Sequence, residues 1–339
     1  MSTVAQIVDD VRAGGAAALA LWALRLDGVE PRRAEPADTV PLDALRELAR
    51  AVTLVHEGQR PPDVRVETFP GVVVERRWVP LRSVGIYVPR GLLSTLVMCA
   101  VPARLAGVER IVVVTPPTGA GMVAAAAQEL GLGEVWAVGG PHAIAGLAYG
   151  AAPLERVDKI VGPGNAYVDE AKRLVSADVA IDFPAGPSEL VVLASKGADE
   201  AVARTELAAQ AEHGPGTRCR LVAMDGDAAA LAELDAEAPE HVLLLGDDAE
   251  ALAPRIRNAG AVFVGRWSSV AAGDLATGGN HVLPTGGRAA ATGGLGLETF
   301  LKPVTVQTLT REGLGRVRRI VEALAAAEGL PAHAEAVRR

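Results

Sequence analysis

Apolar residues recur every three to four positions through TVAQIVDDVRAGGAAALALWALRLDG and again through PLDALRELARAVTLVHEGQ. Each stretch runs to a glycine, so both are expected to be helices, with His56 a surface residue near a helix end. The pattern then changes to alternation. VRVETFPGVVVERRWVPL is rich in valine and broken by Pro-Gly, which predicts a β-hairpin. From SVGIYVP onward, short apolar runs (IVVVTPP, EVWAVGG, KIVGPG) alternate with helix-periodic stretches (STLVMCAVPARLAGV, GMVAAAAQELG, HAIAGLAYG, NAYVDEAKRLV). Strands of this length separated by helices are βαβ units in a parallel sheet. After IDFPAGPSE the alternation resumes with ELVVLAS, DEAVARTELAAQAEH, CRLVAMD, EHVLLLG and AVFVGRW, and the chain closes on the helical EGLGRVRRIVEALAAAEG and LPAHAEAVRR.

The fold class expected is therefore α/β: two Rossmann-like domains with parallel sheets and a helical C-terminal arm. A Rossmann-like domain over 85–187 would be inserted into a discontinuous α/β domain made of 1–84 and 188–296. There the N-terminal helices would pack with the second block, and residues 297–339 would form the arm. At 339 residues the chain has the length for two such lobes.

Composition narrows the function. No apolar run approaches the length of a membrane helix, and the N-terminal segment lacks a basic head and apolar core, so a soluble cytoplasmic protein is expected. The net charge of -8 comes with interspersed signs and only 3% aromatic residues. Neither fits a nucleic-acid partner. Cys99 and Cys219 are the only cysteines, too few for a disulfide scaffold or a Cys-rich metal site. Both sit in apolar contexts and read as core or near-core thiols, which argues against a cysteine-nucleophile dehydrogenase.

Gly119-Ala-Gly121-Met-Val-Ala124 follows a strand and opens a helix, as a dinucleotide fingerprint does. No acidic residue ends a next strand some twenty positions on, so a Gly-rich turn of a parallel sheet is the better reading of it. A set of polar residues at apolar-looking positions carries more information. Gln210 and His213 are three apart on a predicted helix and face one way. Glu240 and His241 precede an apolar strand, where adjacent side chains diverge and would do different jobs. Asp274 and His281 lie in a Gly/Thr-rich loop, and Glu328 and His333 flank a turn near the C-terminus. Two histidines, an aspartate and a glutamine suit a zinc ion, and a separate Glu-His pair suits acid–base work.

GIYVP, VGGPHAIAGLAYG, VDKIVGPGNAYVDEAK, IDFPAGPSE, AAQAEHGP, APEHV, GDLATGGNHVLPTGG and LPAHAEAV resemble, in order, the successive motifs of the histidinol dehydrogenase family across about residues 80–337. The resemblance implies zinc-dependent, NAD-linked four-electron oxidation of L-histidinol through L-histidinal to L-histidine. It implies one zinc ion per subunit, held by Gln210, His213, Asp274 and His333, the last from the partner chain of a homodimer with shared active sites. Glu240 falls on the residue that activates water and His241 on the general base. The zinc ligands and His241 also belong to the substrate site, together with Ser188, His281 and Glu328. Tyr87, His142 and Asn165 fall on positions lining the NAD site.

Three features depart from the family pattern. The Gln210–Glu240 stretch is short by about a strand and a helix. His142 stands where the family has glutamine, and Arg90 where it has glycine in GIYVPGG; the family's FLKR reads FLKP. A paralogue acting on another small amino alcohol, and a zinc-binding protein without catalysis, are the alternatives. The first would alter Ser188, His281 and Glu328, and the second would not need Glu240 and His241.

Overall fold

The computed structural model describes residues 3–37, 39–184, 186–214, 216–224 and 228–338. It divides into two compact units, Met1–Gln59 with Leu81–Phe300, and Arg60–Pro80 with Leu301–Arg339.

The first unit begins with α1 (Thr3–Leu26), β1 (Arg32–Arg33) and α2 (Leu42–Glu57). The hairpin strands β2 (Val64–Phe69) and β3 (Val72–Pro80) belong to the second unit. The chain then alternates as expected: β4 (Ser83–Tyr87), α3 (Leu93–Ala106), β5 (Arg110–Thr115), α4 (Ala120–Glu129), β6 (Val135–Ala137), α5 (Gly140–Tyr149), β7 (Lys159–Val161), α6 (Ala166–Val175) and β8 (Ala180–Ile181). Among the described residues these strands form a sheet of order β1-β6-β5-β4-β7-β8, parallel except for β1. Val112 and Val114 of β5 pack in one cluster with Leu147 of α5 and Val168 of α6.

That cluster also holds Val4, Ile7, Val11 and Leu19 of α1. The N-terminal helix thus packs on α5 and α6 of the first sheet, and α2 packs on α3. This corrects the expectation that the N-terminal helices join the second block. The apolar stripe of an amphipathic helix announces burial without naming the surface that receives it.

The second sheet contains β9 (Glu189–Ala194), β10 (Arg218–Ala223), β11 (His241–Leu245) and β12 (Ala261–Val264), all parallel, in the order β10-β9-β11-β12. Its helices are α7 (Glu200–Ala211), α8 (Ala228–Glu237), α9 (Ala249–Leu252) and α10 (Val270–Leu275). Val191, Leu193, Val242 and Leu244 pack with Leu231, Leu234 and Leu252 on one face. Leu190, Val192, Leu243 and Leu245 pack with Ala203 and Val270 on the other. Two covered faces explain the unbroken apolar runs of β9 and β11. The edge strand β10 is largely exposed, and so is Cys219 within it, contrary to its reading as a near-core thiol. Cys99 is buried.

The second unit pairs the expected hairpin with a strand that the expectation of a purely helical arm omits. β13 (Leu301–Leu309) runs antiparallel to β3 from Leu301 opposite Pro80 to Leu309 opposite Val72. The hairpin therefore belongs with the C-terminal segment and not with residues 1–59. The arm's helices follow as α11 (Arg311–Ala327) and α12 (Pro331–Ala336).

A buried ion pair ties the loop after β7 to the segment after β8. Lys172 of α6 contacts Asp182, and both side chains are 1% exposed. The Lys172 ammonium donates to the carbonyls of Gly162 (3.0 Å) and Phe183 (3.1 Å). The Asp182 carboxylate accepts the N–H groups of the same two residues, each at 2.8 Å. Removing one partner strands the other charge. Lys172→Met is expected to cost about 3–5 kcal/mol in urea unfolding, and Lys172→Met with Asp182→Leu to recover most of it.

Candidate active site

Glu189 and His241 open β9 and β11, with His241 in register with Leu190. The chemistry-bearing residues of the second sheet thus gather at its N-terminal edge. Ser188 precedes β9, Gln210 lies near the end of α7, and Asp274 lies in the last turn of α10. Two cavities meet this edge. One, of about 500 Å³, is lined by His241, Asp274, His281, Phe263 and Trp267. The other, of about 540 Å³, is lined by Asn165, Ser188, His213, Thr217 and Arg288.

His241 is 2% exposed. Its Nδ1 lies 3.2 Å from the Glu189 carbonyl oxygen, to which it donates. Nε2 is buried, has no hydrogen-bond partner, and faces Asp274 Oδ1 at 3.6 Å. Glu240 Oε2 lies 3.5 Å from Nδ1 and accepts the Glu189 N–H at 2.8 Å. Burial by itself lowers the imidazole's pKa, but hydrogen bonds and charge from Asp274 and Glu240 outweigh it and push the value up to about 10.

Asp274 is the hub. Burial works against its ionisation, but His241, with help from His281 and His213, holds its pKa below the ordinary carboxylate value. His213 lies two residues past the end of α7, in a turn, and not on the helix as its spacing suggests. Its Nδ1 donates to the Gln210 carbonyl at 3.0 Å, while Nε2 stands 4.0 Å from Asp274 Oδ2. The Gln210 side chain is buried, 3.5 Å from His241 Nδ1. His281 donates from Nδ1 to the Asp274 carbonyl at 2.8 Å, and burial lowers its pKa. Gln210, His213, Glu240, His241, Asp274 and His281 are thus brought together, with Ser188 on the neighbouring cavity wall. Glu328 and His333 lie on the second unit.

At the first sheet, Asn165 caps α6, its side-chain oxygen accepting from the N–H groups of Tyr167 and Val168. Tyr87 ends β4. Its hydroxyl accepts the Gly140 N–H at 3.3 Å, and burial pushes its pKa up to about 12. His142 is fully buried, and Nε2 donates to Asp27 Oδ2 at 3.0 Å. The same carboxylate oxygen accepts the Gly139 N–H at 2.8 Å. Gly119 has φ +90°, and a Cβ there would stand 3.1 Å from the Gly91 backbone. The Gly-x-Gly motif therefore serves a close approach of two turns. Arg90 sits at φ 22° in that neighbouring turn, where the family's glycine would be free of a side-chain penalty of about 1–2 kcal/mol.

Several residues that shape the site carried no sequence signal. Glu189 supplies backbone groups to both Glu240 and His241. Glu206 is buried and accepts the Val270 N–H at 3.0 Å, joining the helix of Gln210 to that of Asp274. Thr95 Oγ1 lies 3.3 Å from His281 Nε2. His56, read as a surface residue, is fully buried. The nearest signal was its place in a predicted amphipathic helix, which could have put it on the inner face.

The fold is α/β, with a cluster of acid–base side chains gathered at one end of its second sheet. The family model described as histidinol dehydrogenase matches residues 1–233 and 224–339. A histidinol dehydrogenase of Halobacterium salinarum is 40% identical over 390 residues, covering 99% of this chain and 92% of the relative. That of Salmonella typhimurium is 39% identical, covering 99% and 90%. The crystal structure of histidinol dehydrogenase from Elizabethkingia anophelis superposes with a TM-score of 0.90 at 30% identity, covering 98% of this chain and 90% of that one. The chain belongs to the histidinol dehydrogenase family. The two family matches overlap at 224–233, just past β10 and into α8, inside the Gln210–Glu240 stretch expected to be short.

His56 and His281 are both pushed below the ordinary value of 6.5, burial being the leading cause. The stability that their neutral forms carry is complete above about 6.5 and is lost as pH falls towards the lowered folded values. Urea unfolding between pH 7.5 and 5.5 should show this loss, and His56→Gln should make it shallower.

Proposed function

We propose that the chain oxidises L-histidinol through L-histidinal to L-histidine, using two NAD and one zinc ion per subunit. The observation that carries this reading is the buried, unpartnered Nε2 of His241 beside Asp274, with Glu240 held behind the same ring.

The residues present suit zinc. His213 Nε2 and Asp274 Oδ2 face each other at 4.0 Å, donors of the kind that zinc takes. Gln210 adds a buried amide beside them. Among the described residues no three His, Cys, Asp or Glu side chains form a metal cluster; the proposed set includes one amide and takes His333 from a partner subunit. When bound, zinc would hold the substrate's nitrogens and NAD would receive the hydride.

The chain's own residues supply the protons' routes. Glu189 orients the His241 ring through Nδ1, so Nε2 takes the alcohol proton as the carbon loses hydride. A cation held at Asp274 would offset the negative charge facing His241 and so lower the imidazole's raised pKa towards the range of a working base. In the second half-reaction Glu240, fixed by the Glu189 N–H, deprotonates the water that adds to the aldehyde. His281 and Ser188, with Glu328, contact the substrate. Asn165, on the wall of the cavity that it shares with Ser188, is a residue for NAD in this reading, and buried Tyr87 and His142 support it from the Gly139–Gly140 segment.

A homodimer with shared sites is part of the proposal. The second unit leaves Val64, Val66, Phe69, Ile320 and Leu324 more than 40% exposed, an apolar surface suited to a second copy. No helix among the described residues is long and apolar enough to cross a membrane, in keeping with a cytoplasmic enzyme.

Zinc-loaded protein given L-histidinol and excess NAD should form two NADH per histidinol, and chelation should abolish the reaction. His241→Asn should lower kcat by about 10²–10⁴-fold. Glu240→Gln should bring the ratio towards one, with an aldehyde that semicarbazide traps. Zinc binding without NADH would point instead to another alcohol or to a non-catalytic role.

A further inference from the structure

The loop joining Asp274 to His281 rests on α2. Gly278 has φ +89°, and a Cβ there would stand 2.4 Å from the Ala51 carbonyl oxygen and 3.0 Å from the Val52 nitrogen. Only glycine lets the loop lie this close to the helix backbone. Two residues further on, the Asn280 amide is held at both ends. Its oxygen accepts the Val282 N–H at 3.0 Å, and its nitrogen donates to the Met98 carbonyl at 2.8 Å. The same nitrogen lies 3.2 Å from His56 Nε2.

These partners settle the protonation of His56. The Asn280 nitrogen is a donor, so His56 Nε2 accepts, and the ring proton sits on Nδ1, 2.8 Å from the Val52 carbonyl oxygen. His56 is fully buried, and both its ring nitrogens are bonded to protein groups. Three residues on, the Gln59 side-chain oxygen accepts the Leu297 N–H at 3.1 Å. His56 and Gln59, at and just past the end of α2, therefore hold the chain at the first residue of the NHVLPTGG stretch and again beyond its end. Asn280 precedes His281, whose Nδ1 is bonded to the Asp274 carbonyl and whose Nε2 faces Thr95.

We propose that His56 is a positioning residue: through Asn280 it fixes the loop that presents His281 to the substrate, and Thr95 braces the same imidazole from α3. A neutral imidazole suits this work because it donates along its helix and accepts across to the loop at once. The inference rests on the reading of His281 as a substrate contact.

Two substitutions separate positioning from mere packing. His56→Gln keeps an acceptor within reach of Asn280. His56→Asn keeps a group near Val52 but is too short to reach Asn280. Zinc-loaded enzyme carrying His56→Asn is expected to show a KM for L-histidinol raised at least tenfold, with the KM for NAD unchanged. His56→Gln should stay within threefold of the parent. Thr95→Val, close to isosteric, should raise the KM for L-histidinol selectively as well, which keeps the proposal open to test if His56→Asn does not fold. In ¹⁵N spectra of the histidine rings, His281 should keep its Nδ1–H form in the parent and in His56→Gln and lose it in His56→Asn. An active parent whose folded His56→Asn and Thr95→Val variants match it in KM and in the His281 signals would overturn the proposal, as would equal impairment in the Gln and Asn variants. A parent inactive on L-histidinol whose ring spectra still follow this order would refute the substrate reading and leave the positioning intact.

Discussion

The contact between Lys172 and Asp182 decides how the first sheet meets the active site. Two charges withdrawn from water cost several kcal/mol each unless every proton and lone pair is used. Here each charge is bonded to the backbone of both Gly162 and Phe183. The pair is thus less a link between side chains than a clasp on two backbone segments, one leading to Asn165 and the other to Ser188. Those residues line a single cavity, and their separation is set by a group that touches neither.

The two sheets use opposite edges. Tyr87 and Asn165 follow strands of the first sheet, at the carboxyl ends where α/β folds usually bind ligands. Glu240 and His241 stand at the amino end of β11. The ladder holds the His241 backbone, while Glu240, one residue outside it, folds back on the Glu189 N–H. A side chain that would ordinarily diverge from its neighbour therefore lies against the His241 ring.

Much of this was legible in the residues. Alternating apolar runs and helical periods mark both parallel sheets, and a Pro-Gly break marks the hairpin. The clustered His, Asp, Glu and Gln positions come together in three dimensions wherever they share the first unit. What escaped depends on partners distant in sequence. β13 alternates in LKPVTVQTL, yet its pairing with β3 spans more than two hundred residues. α1 shows its apolar stripe but not its receiving surface. His56 looks like any polar residue at a helix end until Asn280, 224 positions away, accounts for its burial. The Gly-x-Gly motif misleads for the same reason, because its glycines answer to a neighbouring turn.

The overlap of the two family matches, 224–233, begins at the carboxyl end of β10. The site gathers at the other end of that sheet. Six residues of strand intervene, about 17 Å at 3.3 Å per residue. A parallel sheet with its chemistry on one rim has an opposite rim answerable only to solubility and folding. A shorter segment there would leave Asp274, His241 and the loop on α2 where they are. The same rim is where lineages of this family have room to lengthen, shorten or acquire new contacts without renegotiating the reaction.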